Sequence, residues 1–395
     1  MQNRKSPWFV PFVLIVLAAL ATGTRAQEPD PHGNLASFEV MLGTWEGGGT
    51  FHGGLEDEGM PWKGQASVRQ ILGGHAVQED LRIDTGMMVL EWRNLYGWDR
   101  EHERYQLVGF GTGGGDRAAQ VQWLDAKTLV GTTQRLEDGV PLAERWVATY
   151  GADESTIRVD VAKGAEPFHT MLRGEFARTE KSFPARPSEA SASTGDASPE
   201  MELLLRMVGE YAVEGTVQPS PSLPKMQMKG ENTVDALFGG SVVRSHFRTE
   251  ATADSPAYEG MGYMYWDPAV EAYAHVWVDN MGQFGVSEGR WVDDHHLSSV
   301  MSGYLEGQPL SNRSVLVVDD AGKPVRFWGD SMHADSKPVR VAEGTYTPIG
   351  GEAARASLQF TAGSCCDRAR KAGNSCTHPC CVTAAEAGKV CAACN

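Results

Sequence analysis

The densest group of side chains able to do chemistry lies near the C-terminal end, where all seven cysteines fall within the last thirty-one residues. The segment CCDRARKAGNSC at 365–376 recurs as CCVTAAEAGKVC at 380–391, and each copy is predicted to form a short helix that ends at a glycine. So short a segment cannot bury enough apolar surface to fold alone, so disulfides or a metal ion must order it. The cysteines are Cys365, Cys366, Cys376, Cys380, Cys381, Cys391 and Cys394.

Different chemistries compete for these cysteines. Disulfides are the default in an exported protein and would stabilise the tail by roughly 2–4 kcal/mol each. Because seven is an odd number, one thiol would remain for a disulfide-linked partner. The alternatives are a zinc or copper site, since thiolates and an imidazole at short spacings can chelate these ions, and a redox-active mixture of both states. The candidate metal ligands are Cys376, His378, Cys380, Cys391 and Cys394.

A second pattern is that of a serine hydrolase. Residues 285–289 read Gly-Val-Ser-Glu-Gly, and Asp320 or Asp330 and then His333 follow in the order of a Ser–Asp–His triad. A nucleophile elbow needs a strand that enters a helix, whereas the residues around Ser287 alternate as a strand and continue into a turn. We therefore expect Ser287 to be a strand residue, and a secreted serine hydrolase is the alternative function.

Aromatic side chains supply the third pattern. Tyr273, His275 and Trp277 alternate onto one face of a predicted strand, and Trp266 and Trp291 lie on neighbouring strands. Aromatic walls with a few polar groups are typical of a pocket for a small apolar ligand. These five residues are the candidate ligand-binding site. The other interpretation is that the rings simply fill the interior of the fold.

A tandem duplication positions all of these residues. The segment 60–82 returns at 226–248 with a constant shift of 166 positions and no insertion. Each copy reads strand, turn, strand, and the paired glycines Gly73-Gly74 and Gly239-Gly240 suit a two-residue turn with positive φ. A short helix begins each repeat. After it, apolar and polar residues alternate over about ten short predicted strands.

Many short strands without intervening helices predict an antiparallel meander that closes into a barrel. The predicted fold is all-β, with two tandem calycin-like barrels at 34–180 and 200–350 and a small cysteine-rich helical module at 363–395. The segment 181–199 is rich in Ser, Ala and Pro and is predicted to be a flexible linker. We expect each barrel to fold independently, because each has a full set of strands.

The N-terminal residues and the charge indicate the compartment and exclude some partners. Basic residues at 4 and 5, an apolar run at 8–21 and small residues at 24 and 26 predict a secretory signal at 1–26, hence a secreted or periplasmic protein with no stable membrane insertion after cleavage. The formal net charge is −16, and no basic cluster interrupts it. Such a balance repels polyanions, so nucleic acid is not an expected partner.

The second copy resembles a bacterial secreted family known only as domain of unknown function 1579. Tyr265-Trp266-Asp267, the run from Trp277 to Gly282 and Ser287-Glu288-Gly289 carry the resemblance, and the first copy is less similar at 110–114. The resemblance implies a calycin-like barrel, because the opening Gly43-Thr44-Trp45 after a short helix is similar to that of lipocalins and haem-binding nitrobindin-like barrels. The family has no established activity. No catalytic residue is assigned, and the expected function is non-catalytic binding of a small apolar ligand in one or both barrels.

Overall fold

The computed structural model describes most of the chain between residues 35 and 349. The predicted signal segment, most of the predicted linker and all seven cysteines lie outside the described residues, as do the candidate metal ligands Cys376, His378, Cys380, Cys391 and Cys394. The described residues are 35–52, 58–99, 103–112, 114–115, 118–137, 139–183, 198–218, 224–251, 256–305, 308–333, 337–349 and 368.

The first repeat forms a ten-stranded antiparallel barrel with one two-residue strand added. Each long strand pairs with its neighbours in sequence, β1 pairs with β11, and pairing of β4 with β5 closes the barrel. A 3-10 helix at Ala36–Met41 precedes the strands. They are β1 (Gly43–Phe51), β2 (Met60–Ile71), β3 (Ala76–Asp84), β4 (Val89–Asp99), β5 (Arg104–Gly111), β6 (Gly114–Gly115), β7 (Ala119–Trp123), β8 (Thr128–Glu137), β9 (Val140–Tyr150), β10 (Glu154–Lys163) and β11 (His169–Arg178).

The second repeat forms a closed barrel of ten strands in strict sequence order, with β12 paired to β21. A 3-10 helix at Pro199–Met201 and helix α1 (Glu202–Arg206) precede it. The strands are β12 (Gly209–Val217), β13 (Met226–Leu237), β14 (Val242–Thr249), β15 (Tyr258–Asp267), β16 (Ala272–Asp279), β17 (Phe284–Asp293), β18 (His296–Leu305), β19 (Gln308–Val318), β20 (Pro324–His333) and β21 (Val339–Pro348). The predicted all-β fold with two tandem barrels is confirmed.

The paired glycines do not form the predicted two-residue turn. Ile71 pairs with Ala76, so the loop between β2 and β3 has four residues. Its first three residues, Leu72–Gly74, form a short 3-10 turn in which Leu72 has φ 54° and Gly73 has φ 67°. The same loop recurs at Phe238–Gly240. Glycine suits the two positions that follow Leu72, because Gly73 and Gly74 have φ of 67° and 93°, which cost a residue with a side chain free energy.

One end of each barrel is closed by the preceding helix. In the first barrel Phe38 and Met41 are fully buried in the core, and the indole of Trp45 donates a hydrogen bond to the Met41 carbonyl, 2.8 Å away. In the second barrel the hydroxyl of Tyr211 donates to the carbonyl of Met207 at 2.7 Å. Trp45 and Tyr211 therefore play the same part, since each ring satisfies a carbonyl at the end of the helix that the helix itself leaves unpaired.

The two barrels share a buried apolar cluster. Leu95, Val108 and Phe110 of the first barrel belong to the same cluster as residues of β14, β15 and β16 of the second. The Phe110 ring lies 4.7 Å from the Tyr263 ring, centroid to centroid. Identical ladders match β4–β5 to β15–β16 with a shift of 168 positions, so Leu95 corresponds to Tyr263 and Val108 to Val276. The barrels therefore meet through equivalent faces, as two subunits related by a twofold axis would.

Candidate functional site

The interior of the first barrel contains a cavity of about 340 Å³. Its walls are mostly apolar and aromatic. Toward the end closed by the helix lie the rings of Trp45, Tyr96, Tyr150 and Trp146, whereas Trp62 lies toward the opposite end. A volume of this size is in the range of pockets that hold small organic molecules. The alternating residues of the strands build the cavity, because every second side chain of a barrel strand points inward.

A hydrogen-bonded chain of polar side chains crosses this apolar wall. Trp92 Nε1 donates to Asn94 Oδ1 at 2.9 Å, which fixes the orientation of the amide. Asn94 Nδ2 then donates to Glu79 Oε2 at 2.8 Å, and the hydroxyl of Tyr96 donates to the same oxygen at 2.9 Å. All four residues line the cavity. Both donors to Glu79 are uncharged, and both use one of its two oxygens.

Glu79 is a carboxyl group surrounded by protein yet partly open to the cavity. Burial away from water raises the pKa of Glu79 above its ordinary value of 4.5, the hydrogen bonds from Asn94 and Tyr96 oppose that rise, and the nearby charge of Asp80 adds to it. The charge of Glu79 also raises the pKa of the nearby Tyr150, although burial of Tyr150 is the larger cause. Desolvation dominates because no cationic side chain of the described chain forms an ion pair with Glu79.

The formal charges of the residues that line the cavity do not sum to zero. Arg135 and Glu144 line it and form an ion pair, with Arg135 Nη1 3.4 Å from Glu144 Oε2. Glu79 is the remaining charged residue among those that line the cavity. The arginine charge is therefore matched by Glu144, and an ionised Glu79 would leave the wall with one net negative charge.

Sequence reasoning expected binding in one or both barrels, named candidate residues in the second barrel alone, and assigned no ligand-binding role to Glu79. The available signal was strand parity: Val77, Glu79 and Leu81 alternate onto one face of β3, so Glu79 is an acid at an inward position between two apolar residues. An acid at such a position is unusual, because burying a carboxylate without a partner is costly.

The structure divides the five predicted ligand-binding residues into two groups. Trp266 and Tyr273 pack edge to face with ring centroids 5.2 Å apart, and together with Trp291 they join the core beneath the helix that closes the second barrel. His275 and Trp277 lie further along β16, with ring centroids 6.2 Å apart. The predicted common face of Tyr273, His275 and Trp277 agrees with the fold, since the alternate residues of β16 belong to the cluster between the barrels.

Asp279 ends this strand and organises the turn that follows. Its Oδ1 accepts hydrogen bonds from the backbone N–H groups of Met281 (2.9 Å) and Gln283 (3.0 Å), and its Oδ2 accepts from the hydroxyl of Tyr258 (3.0 Å). Burial raises the pKa of Asp279, although these hydrogen bonds oppose the rise. Asp279 therefore has local partners for both oxygens, unlike Glu79.

Ser287, the nucleophile of the alternative hydrolase function, is a strand residue, as the sequence predicts. Ser287 lies within β17 and its hydroxyl donates to the backbone carbonyl of His275 at 3.1 Å, so it does not occupy a turn from strand to helix. Asp330 forms an ion pair with Arg340 at 2.6 Å, and Asp320 lies 3.7 Å from His295. Within the described ranges, no group of three or more His, Cys, Asp or Glu side chains is placed to hold a metal ion.

Fold and interior together define the class, a pair of calycin-like barrels in one chain. Residues 196–347 match the model of the family described as "Protein of unknown function (DUF1579)". The second barrel therefore matches this family, which confirms the resemblance found in its sequence, and the first barrel repeats its ten-stranded fold. A comparison with curated proteins found no match. No helix in the described part of the chain is long and apolar enough to cross a membrane.

Solved structures of similar fold match either one barrel or most of the chain. Rv2717c from M. tuberculosis is 14% identical with a TM-score of 0.30, and the match covers 39% of this chain and 99% of that one. A protein with unknown function from the DUF3598 family of Nostoc punctiforme PCC 73102 is 12% identical with a TM-score of 0.23, covering 79% of this chain and 98% of the other. Neither similarity assigns a function.

Proposed function

We propose that this is an exported, non-catalytic binding protein that holds a small, largely apolar molecule inside its first barrel. The observation that carries the proposal is the cavity of about 340 Å³, with aromatic walls and the chain of polar groups that ends at Glu79. An apolar pocket with a few convergent polar groups is the usual form of a small-molecule site. Export is part of the proposal and is supported by the N-terminal sequence alone.

The end of the first barrel opposite the helix supports this proposal. Turns between strands at that end expose Met87 (72% exposed), Met88 (56%) and Phe168 (56%) to solvent. Large apolar side chains grouped around the mouth of a cavity extend its apolar surface outward. A molecule with low solubility in water would meet this surface before it enters.

Filling the cavity tests the proposal. Ala148 lines it, whereas Ala143 on the same strand has the opposite parity and points outward. We expect Ala148→Phe to weaken binding of the neutral fluorescent probe N-phenyl-1-naphthylamine at least ten-fold, because the new ring occupies the ligand volume. Ala143→Phe should bind the probe as the wild type does. Circular dichroism melts of both variants check that they fold, and unchanged probe binding by a folded Ala148→Phe protein would contradict the proposal.

The second barrel is included in the proposal as a further binding site. His275 and Trp277 support it, since they alternate with the residues of β16 that contact the first barrel and so face the interior of their own. Trp277→Phe should then reduce the fluorescence change on probe binding in a protein whose first cavity is filled by Ala148→Phe. No probe-dependent signal in the Ala148→Phe protein would remove the second site.

The tail retains its alternatives of disulfides and a metal site. Thiol counting in denaturant without reductant should give one free thiol or fewer per chain if disulfides form. Six or seven free thiols with bound zinc or copper would make the tail a metal site instead, with Cys376, His378, Cys380, Cys391 and Cys394 as its candidate ligands.

A further inference from the structure

We infer that the ligand of the first barrel is a cationic amine with an apolar body, and that its charged nitrogen pairs with Glu79 Oε1 at the closed end of the cavity. This inference rests on the proposed function and names its ligand class. Three features of the cavity support it: the oxygen of Glu79 that receives no hydrogen bond from the described part of the chain, the charge balance of the wall, and the aromatic rings around the acid.

The first feature is geometric and concerns Oε1 of Glu79. Both hydrogen bonds to Glu79 end on Oε2, and Oε1 has no partner among the described residues. Glu79 nevertheless lines the cavity and is only partly buried, because its surface faces an internal space that a water-sized molecule can occupy. A carboxylate oxygen with free lone pairs at the base of a binding cavity is placed to accept from a ligand N–H group.

The charge balance favours a cation as the donor. The lining residues with formal charge are Glu79, Glu144 and Arg135, and the ion pair between Arg135 and Glu144 matches those two charges. A single positive charge on the ligand would therefore neutralise the wall. The whole chain, with a formal net charge of −16, also attracts cations and repels anions at long range.

Aromatic rings complete the site. Tyr96, Tyr150 and Trp45 line the cavity near its closed end, and the Trp45 and Tyr150 ring centroids are 6.4 Å apart. The faces of aromatic rings attract cations, by about 0.5–1 kcal/mol at exposed sites and more where water is excluded. A carboxylate flanked by aromatic rings thus binds an amine better than it binds a neutral group of the same shape.

The competing possibility is a neutral ligand that accepts a hydrogen bond from protonated Glu79. The two differ in the direction of their pH dependence. Burial raises the pKa of Glu79 in the empty barrel, so an amine must displace a proton and its affinity should rise with pH. A neutral acceptor would instead lose affinity as pH rises. The titratable groups around Glu79 are Asp80, Tyr96 and Tyr150; the pKa of each tyrosine is raised well above 10.0, so both stay neutral across the range.

The experiment compares decylamine with 1-decanol, two ligands of nearly equal shape, as competitors of N-phenyl-1-naphthylamine on the full chain between pH 5 and pH 9, where the amine stays charged. We expect decylamine to bind at least ten-fold more tightly than 1-decanol at pH 8, with its advantage growing as pH rises. Glu79→Gln, which keeps the size of the side chain, should reduce the ratio to about one. Glu175→Gln removes a charge from the exposed outer face of β11 and should leave the ratio unchanged.

Each outcome decides a different claim. Retained binding of the neutral probe by Glu79→Gln shows that this variant is folded. Equal binding of amine and alcohol by the wild type, or an amine preference that survives in Glu79→Gln, overturns the inference and leaves the proposed function standing. Failure of the wild type to bind the neutral probe at all overturns both.

Discussion

The two barrels have matching ladders at β4–β5 and β15–β16 and exchange the position of one large ring there. In the first barrel Trp92 on β4 lies over Gly109 on β5, and a Cβ atom at Gly109 would stand 2.5 Å from Trp92 Nε1. In the second barrel the equivalent of Trp92 is Gly260 and the equivalent of Gly109 is Trp277. A Cβ at Gly260 would stand 2.4 Å from Trp277 Cζ2. An indole thus fills the same part of each interior from opposite strands.

The two barrels also differ in the polarity of other inward-facing residues. Glu79 and Asn94 of the first barrel correspond to Ser245 and Gly262 of the second. The second barrel thus lacks both the acid and the amide that orients it, while its Asp279 has partners for both oxygens. Two barrels with matching strand registers can therefore have different interiors, because a few inward side chains decide what each barrel can bind.

The largest expected effect is at the contact between the barrels. Phe110 is fully buried and its ring lies within 6.2 Å of the rings of Phe238, Tyr263 and Tyr265, centroid to centroid. Phe110→Ala should lower the free energy of unfolding by about 3–5 kcal/mol, because it leaves a cavity in a packed apolar cluster. Urea unfolding measures this loss. Phe168→Ala, at a ring that is 56% exposed, is the control and should change stability by less than about 0.5 kcal/mol.

The shared cluster also sharpens the expectation that the barrels fold independently. Each separated half, 27–181 or 199–350, would expose its part of the cluster to water, which costs free energy in proportion to the apolar area exposed. We expect each half to melt below the full chain and the two to associate when mixed. Halves as stable as the full chain, with no association in analytical ultracentrifugation, would mean that the contact contributes little.

A double-mutant cycle tests the exchanged rings. Gly109→Ala should destabilise the protein by about 1–3 kcal/mol, because its methyl group overlaps the Trp92 indole. The same change in a Trp92→Ala background should cost much less, since the overlapping ring is gone. Equal costs in the two backgrounds, measured by urea unfolding, would show that the ring moves aside without strain.

The smallest effect concerns the pH dependence of stability. Because the pKa of Glu79 is raised above 4.5, the folded chain holds this proton more tightly than the unfolded chain does. Its contribution to stability is present at low pH and is lost as pH rises from about 4.5 through the folded pKa. Glutamine does not ionise, so Glu79→Gln does not undergo this loss over this range. The free energy of unfolding of the variant should therefore rise relative to that of the wild type between pH 4 and pH 8. A difference that does not depend on pH would mean that the pKa of Glu79 is not raised.

Much of the fold could be predicted because strand alternation and a gapless repeat are local patterns. The contact between the barrels could not, since it depends on how two closed surfaces meet. One signal was present: every residue of β16 (Ala272–Asp279) is buried, and its sequence AYAHVWVD is nearly continuously apolar. Such a run indicates a strand covered on both faces. Only the inward face was assigned a role from the sequence.

Ligand binding inside an aromatic-walled barrel stays a prediction, and the cavity moves its favoured place to the first barrel. An aromatic-walled barrel interior was expected, but Trp266 and Tyr273 pack beneath the closing helix. The aromatic residues chosen from the sequence lie in the second barrel, whereas the cavity that contains Glu79 lies in the first. A chain of hydrogen bonds across four residues of β3 and β4 depends on register, which composition does not reveal.

The most direct test of the central claim is a crystal structure of the full chain with decylamine brominated at its far carbon, in which anomalous scattering locates the bromine. We predict one bromine inside the first barrel, on the side of the cavity away from the closing helix, with the amine nitrogen within hydrogen-bonding distance of Glu79 Oε1. Absence of bromine from the first barrel, or an amine nitrogen at the mouth beside Glu144 with the alkyl chain against Glu79, would contradict the account.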